Sequence, residues 1–78
     1  MNETQTFFDE VTKEWLKQRM QKFNKSVTVL SNDLGVKREV LGMSIYGKRD
    51  LTKPQKSMFY YYFLALELQE KLKQYENQ

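Results

Sequence analysis

The chain has 78 residues, a formal net charge of +3, and neither cysteine nor histidine. Disulfides, thiolate and imidazole metal sites, most nucleophile–base pairs and the commonest general base are therefore excluded, so neither an enzyme, a cofactor, a metal nor a small-molecule substrate is expected. A chain this short makes one small domain, here residues 1–78, and eleven aromatic residues are enough for a compact core.

Residues 1–5 are polar and read as a disordered tail. Thr6 is placed as an N-cap, with Asp9 and Glu10 in the first turn favouring the helix dipole. Phe7, Phe8, Val11, Trp15, Leu16, Met20 and Phe23 then recur at helical spacing, which predicts one helix to about Phe23. Asn24 suits a left-handed position just after it.

Ser26 is the next N-cap. Val27-Thr28-Val29 has strand propensity, but the alternation stops there. Leu30 and Leu34 continue a 3.6-residue period from Val27, so a helix is expected, ending at Gly35. Val36 can plug the gap to a second short helix over 37–46, whose buried side is Val40, Leu41 and Ile45. Gly47 is expected to end it at positive φ. Two short helices joined by a few residues including a glycine make a helix-turn-helix, and the second helix of such a pair can enter the DNA major groove.

Lys48-Arg49-Asp50 is a charged loop and Leu51 an apolar anchor. Thr52 with Gln55 three residues on forms a capping box, and Pro54 falls in the first turn, where its missing N–H is harmless. A long last helix follows, from Lys53 to about Tyr75. Phe59, Tyr62, Phe63 and Leu66 fit against a core. Tyr61, Ala65, Leu68, Leu72 and Tyr75 fall at spacings of 4, 3, 4 and 3, a dimerisation seam of the coiled-coil kind, with residues 67–78 as its extension. The run over 58–63 is read as core and interface, not as a base-stacking platform, because consecutive helical residues point all ways.

The charge is unevenly spread. Residues 13–56 hold eleven basic side chains against four acids, while residues 1–12 and 57–78 are net acidic. A basic middle between acidic ends is the footprint of a phosphate-facing surface, although a solvated lysine-rich surface has the same composition. No apolar run reaches the ~18–20 residues of a membrane span, and the first residues lack the basic start and apolar centre of a signal peptide. A cytoplasmic protein with no membrane partner is expected.

At Ser26, Leu30, Ser31, Leu34-Gly35-Val36, Leu41 and Gly47-Lys48-Arg49 the chain resembles the lambda-repressor-like helix-turn-helix family of phage and Xre-type regulators. The resemblance covers roughly residues 16–66. It implies an all-α, compact four- to five-helix bundle containing a helix-turn-helix, with a long C-terminal helix. It also implies a small phage or mobile-element repressor that occupies an operator. Three positions depart from the family pattern. Ser31 stands where alanine is usual, its hydroxyl free to bond the preceding turn. Val27 stands where the family often has a phosphate-touching glutamine. Ser44 stands at a normally apolar position, so either the helix is locally rotated or Ile45 substitutes.

The helical period then assigns the DNA face. With Val40, Leu41 and Ile45 inward, Lys37, Arg38, Glu39, Gly42, Met43 and Tyr46 point outward to read bases. Arg38 can take guanine bidentately, Glu39 can accept from cytosine N4, and Met43 can touch a thymine methyl. Gly42 costs the helix ~1 kcal/mol relative to alanine, which calls for a reason: close approach of DNA, or close packing on the neighbouring helix. Thr28, Asn32, Lys48, Arg49, Lys53 and Lys56 are the phosphate candidates. The expected function is sequence-specific binding of double-stranded DNA by a homodimer in transcription regulation. The alternatives are a helical protein-interaction adaptor and, more weakly, an RNA binder.

Overall fold

A computed structural model of the chain describes residues 10–76. The described part is all-helical, with four α-helices: α1 (Lys13–Lys22), α2 (Val27–Leu34), α3 (Arg38–Tyr46) and the long α4 (Lys53–Glu76). The Thr6 cap, Phe7, Phe8 and the tail at 1–5 lie outside the described residues.

The first helix starts later than its apolar spacing predicts. Thr12 is extended, and its side chain accepts from the Trp15 backbone N–H at 3.1 Å, so it is the N-cap. Glu10 and Val11 precede the helix, and the Thr12 N–H closes a turn on the Glu10 carbonyl. Val11 is nevertheless fully buried. Val11 lies four residues before Trp15, so a buried residue outside the helix continued its apolar spacing. At the other end Asn24 has φ +55, and the N–H groups of Asn24 and Lys25 bond the carbonyls of Gln21 and Met20. This is the paired-bond stop that a left-handed residue permits.

Ser26 caps α2 through the Val29 N–H, and Gly35 ends it at φ +69, as expected. The Gly35-Val36-Lys37 turn is stitched by Ser31, whose hydroxyl donates to the Val36 carbonyl at 2.6 Å. That hydroxyl therefore spans the turn ahead of it, and does not bond the turn behind. α3 packs on both α2 and α1.

Two expectations for α3 are corrected. Val40 is 47% exposed, so the buried residues of the helix are Leu41 and Ile45. Nine residues present one narrow i, i+4 stripe, and Val40 falls beside it. Gly47 is extended, with φ −77, and needs no left-handed freedom. It is glycine for a different reason: a Cβ there would sit 2.2 Å from the Met43 carbonyl oxygen, an overlap that would force the backbone to shift.

The capping box opens α4 as its sequence predicts. The Thr52 N–H donates to Gln55 Oε1 at 2.9 Å, and the Gln55 N–H to Thr52 Oγ1 at 3.3 Å. Gln55 does a second job. Its Nε2 donates to Ser44 Oγ at 2.7 Å, while that hydroxyl donates to the Val40 carbonyl. Ser44 is thus the bolt between α3 and the start of α4, and Ile45, fully buried, supplies the apolar contact.

The core is Val11, Leu16, Met20, Leu30, Leu41, Ile45, Leu51, Phe59 and Phe63. Phe63 meets Trp15 edge-on and Phe23 at a tilt, both at 5.9 Å between centroids. Two polar links reinforce α4: Arg19 with Glu67 at 2.9 Å, and Tyr62, whose hydroxyl donates to Asp33 at 2.6 Å. Burial, then the Asp33 carboxylate that accepts this bond, push the Tyr62 hydroxyl well above the usual tyrosine range. The sign follows directly. The folded state holds this proton more tightly than the unfolded chain, so the contribution is complete below the unfolded tyrosine pKa of ~10 and is lost progressively above it. Tyr62→Phe should therefore flatten the fall in stability above pH ~10. Urea titrations of both proteins at neutral and alkaline pH check this, and an unchanged slope would count against the link.

Candidate nucleic-acid interface

α3 is held from one side only. Leu41 and Ile45 enter the core, Ser44 is tied to Gln55, and the opposite side of the helix is open. Lys37, Arg38, Glu39, Met43 and Tyr46 are all exposed, Met43 at 74% and Tyr46 at 62%, and Gly42 is half-buried. Five of the six residues assigned to base reading are thus exposed, and four of the six, Arg38, Glu39, Gly42 and Tyr46, line one notch. Lys37 has no side-chain cap bond, so the first N–H groups of α3 are left for solvent or an anion, next to two cationic side chains.

Gly42 is explained by neither neighbouring helix. A Cβ built there meets nothing within 4 Å, which removes the packing reason offered for it. Its missing side chain instead forms part of a shallow open notch of about 350 Å³ lined by Val27, Arg38, Glu39, Gly42 and Tyr46. Val27 lies on α2 and is half-buried. It supplies one apolar wall of the notch, with the Tyr46 ring as another. Gly42→Ala should thus act with opposite signs on two measurements. Helix propensity favours alanine, so thermal stability should rise by about 0.5–1 kcal/mol. The notch would be partly filled, and duplex affinity should fall. A rise in stability with affinity intact would show that nothing enters the notch.

The structure adds residues that the period of α3 could not name. Lys17, on α1, places its ammonium 5.3 Å from the centroid of the Tyr46 ring. Lys17, Gln21, Asn24 and Lys25 line an open depression beside Ser26, Val27 and Tyr46. The end of α1 and the start of α2 therefore continue the surface of α3. The only signal in the sequence was the excess of lysine on α1, which does not say which lysines face α3.

The phosphate candidates divide into groups. Thr28 and Asn32 are exposed on α2; Lys48 and Arg49 are exposed in the loop after α3, and Lys53 at the first position of α4. Lys56 is half-buried and lines a separate depression with Val11, Asp50 and Leu51. The loop after α3 is pinned by Lys13, whose ammonium donates to the Gly47 carbonyl. Among the described residues the ion pairs are Arg19–Glu67 and a long Lys25–Asp33 contact of 3.9 Å. Lys37, Arg38, Lys48, Arg49 and Lys53 are in neither, so their charge faces solvent.

The seam candidates Tyr61, Ala65, Leu68, Leu72 and Tyr75 are all exposed on α4. The aromatic run divides, with Phe59 and Phe63 buried, Tyr60 and Tyr62 half-buried and Tyr61 exposed, so it presents no continuous stacking surface. Among the described residues no helix is long and apolar enough to cross a membrane. No family model, curated protein or solved structure matches the chain, so similarity assigns it to no family.

Proposed function

We propose that the protein binds duplex DNA sequence-specifically as a homodimer and regulates transcription by occupying an operator, in the manner of a small phage or mobile-element repressor. In this reading α2 and α3 form the helix-turn-helix, and the face of Lys37, Arg38, Glu39, Gly42, Met43 and Tyr46 enters the major groove. The observation that carries it is that α3 is held from one side, by Leu41, Ile45 and the Ser44–Gln55 bond, and leaves Lys37, Arg38, Glu39 and Met43 exposed, with Lys37 and Arg38 in none of the ion pairs among the described residues. A groove-reading helix needs that exposure together with a rigid back.

The mechanism divides by contact type. Lys48, Arg49 and Lys53 meet phosphates and set register. Lys17 and Thr28 flank them, and Arg38 and Glu39 read base edges. Neutralising phosphates releases counterions, so binding weakens steeply with salt. A salt titration on random duplex DNA, followed by selection of bound sites from a random duplex pool, tests the reading. The expected result is a steep negative salt dependence and a palindromic selected site. A second reading, a protein-interaction adaptor, is favoured by the apolar outer side of α4. Absence of duplex binding at low salt would select it over the first.

A further inference from the structure

The outer side of α4 lies opposite Phe59 and Phe63 and carries Leu68, Leu72 and Tyr75, which are 51%, 61% and 76% exposed. Arg19 holds Glu67, but from Leu68 to Glu76 every residue is exposed. These nine residues are the outer end of the 24-residue α4, which the body reaches at Lys22 of α1, in a depression it shares with Glu67, Glu70, Lys71 and Gln74. A row of large apolar side chains on such a stretch adds a cost that a partner would remove.

We infer that this face pairs with α4 of a second copy in parallel and in register. The inference rests on the reading of the chain as a homodimer and does not require that it bind DNA. Charge decides the direction. With Leu68 and Tyr75 at one seam position and Ala65 and Leu72 at the other, Lys71 flanks the seam on one side and Glu76 on the other. In a parallel pair each flanking residue faces the opposite flank of the partner, five residues further on. Lys71 then meets the partner's Glu76, and the two-fold axis makes this pair twice. In an antiparallel pair like flanks face each other, which sets Lys71 near the partner's Lys71 and leaves Glu76 without a counter-charge.

Parallel pairing also stacks leucine on leucine at 68 and 72, while Ala65 lets the helices approach. It places both α3 helices at the same end of the assembly, where one duplex can meet both. The area is small, on the order of 500 Å² per copy, at the lower limit of specific interfaces. The pair is therefore weak and concentration-dependent when free.

Sedimentation equilibrium without DNA tests this, using Lys71→Glu and Glu76→Lys singly and together. The natural chain should dimerise reversibly. Each single reversal turns two attractive contacts into two repulsive ones and should raise the dimer Kd by roughly five- to twentyfold. The double variant should return to near the natural value. Leu72→Cys, in a chain with no other cysteine, should give a disulfide-linked dimer on mild oxidation, because identical seam positions meet only in the parallel register. A chain that stays monomeric at about 1 mM, single variants that dimerise unchanged, or a double variant weaker than either single one would each overturn the inference. Duplex binding by a strictly monomeric free chain would remove the pairing and leave the DNA reading standing; a dimer with the predicted charge pattern but no duplex affinity would do the reverse.

Discussion

Phe63→Ala should destabilise the protein by about 3–5 kcal/mol, the usual cost of emptying a buried aromatic site. Phe63 is fully buried and touches Trp15 and Phe23, so α4 and α1 are joined through this ring. Aromatic pairs of this geometry contribute about 0.5–1.5 kcal/mol beyond area. A domain of this size has a total stability of only about 4–12 kcal/mol, so the variant should be partly unfolded at 37 °C. Urea denaturation followed by circular dichroism measures the effect. Leu72→Ala, on the open side of the same helix, should change the monomer by less than about 0.5 kcal/mol. Equal losses from the two substitutions would mean that the core is not centred on the inner face of α4.

Replacing Lys48, Arg49 and Lys53 together by alanine should reduce duplex affinity on the order of a hundredfold or more near 0.1 M salt and lower the salt slope by about 2–3. All three are exposed and outside the ion pairs, so their removal disturbs no packing, and the melting temperature should hold. The loss should be uniform over sequences, as expected for phosphate contacts. Arg38→Ala should behave differently, with a loss of about 1–3 kcal/mol concentrated at one base position of the selected site. A uniform loss from Arg38→Ala would move it to the phosphate group. Fluorescence anisotropy with selected and scrambled duplexes, at several salt concentrations, separates these patterns. Triple-variant affinity equal to that of the natural chain would remove the loop after α3 from the interface.

Two of these expectations depend on how sharply the sequence marks its helix ends. Ser26, Gly35, Asn24 and the Thr52/Gln55 box each act through bonds within four residues, and each is found in the predicted role. Such signals are local: a hydroxyl or amide reaches only the nearest orphan N–H, whatever the rest of the fold does. The all-helical class and the exposure of Lys37, Arg38, Glu39, Met43 and Tyr46 were legible for a related reason, since helical period separates the two sides of a short helix, but the same period counted the exposed Val40 inward and the half-buried Gly42 outward.

What the tertiary structure alone decided are the matters that need a neighbour. Val11 is buried without being helical, as a member of the same core cluster as Leu51 and Phe59, while Val40 is left exposed because α3 presents only a narrow stripe to α1 and α2. Ser44 is polar because Gln55 arrives eleven residues later to bond it, Gly47 is glycine because the Met43 carbonyl crowds it, and Gly42 opens a notch whose other wall, Val27, belongs to α2. Local hydrogen bonding and helical period are properties of a few adjacent residues, and the chain carries them in plain order. Which face is covered, which polar group finds a partner and where space is left over depend on distances between segments far apart in sequence, and those exist only once the helices have packed.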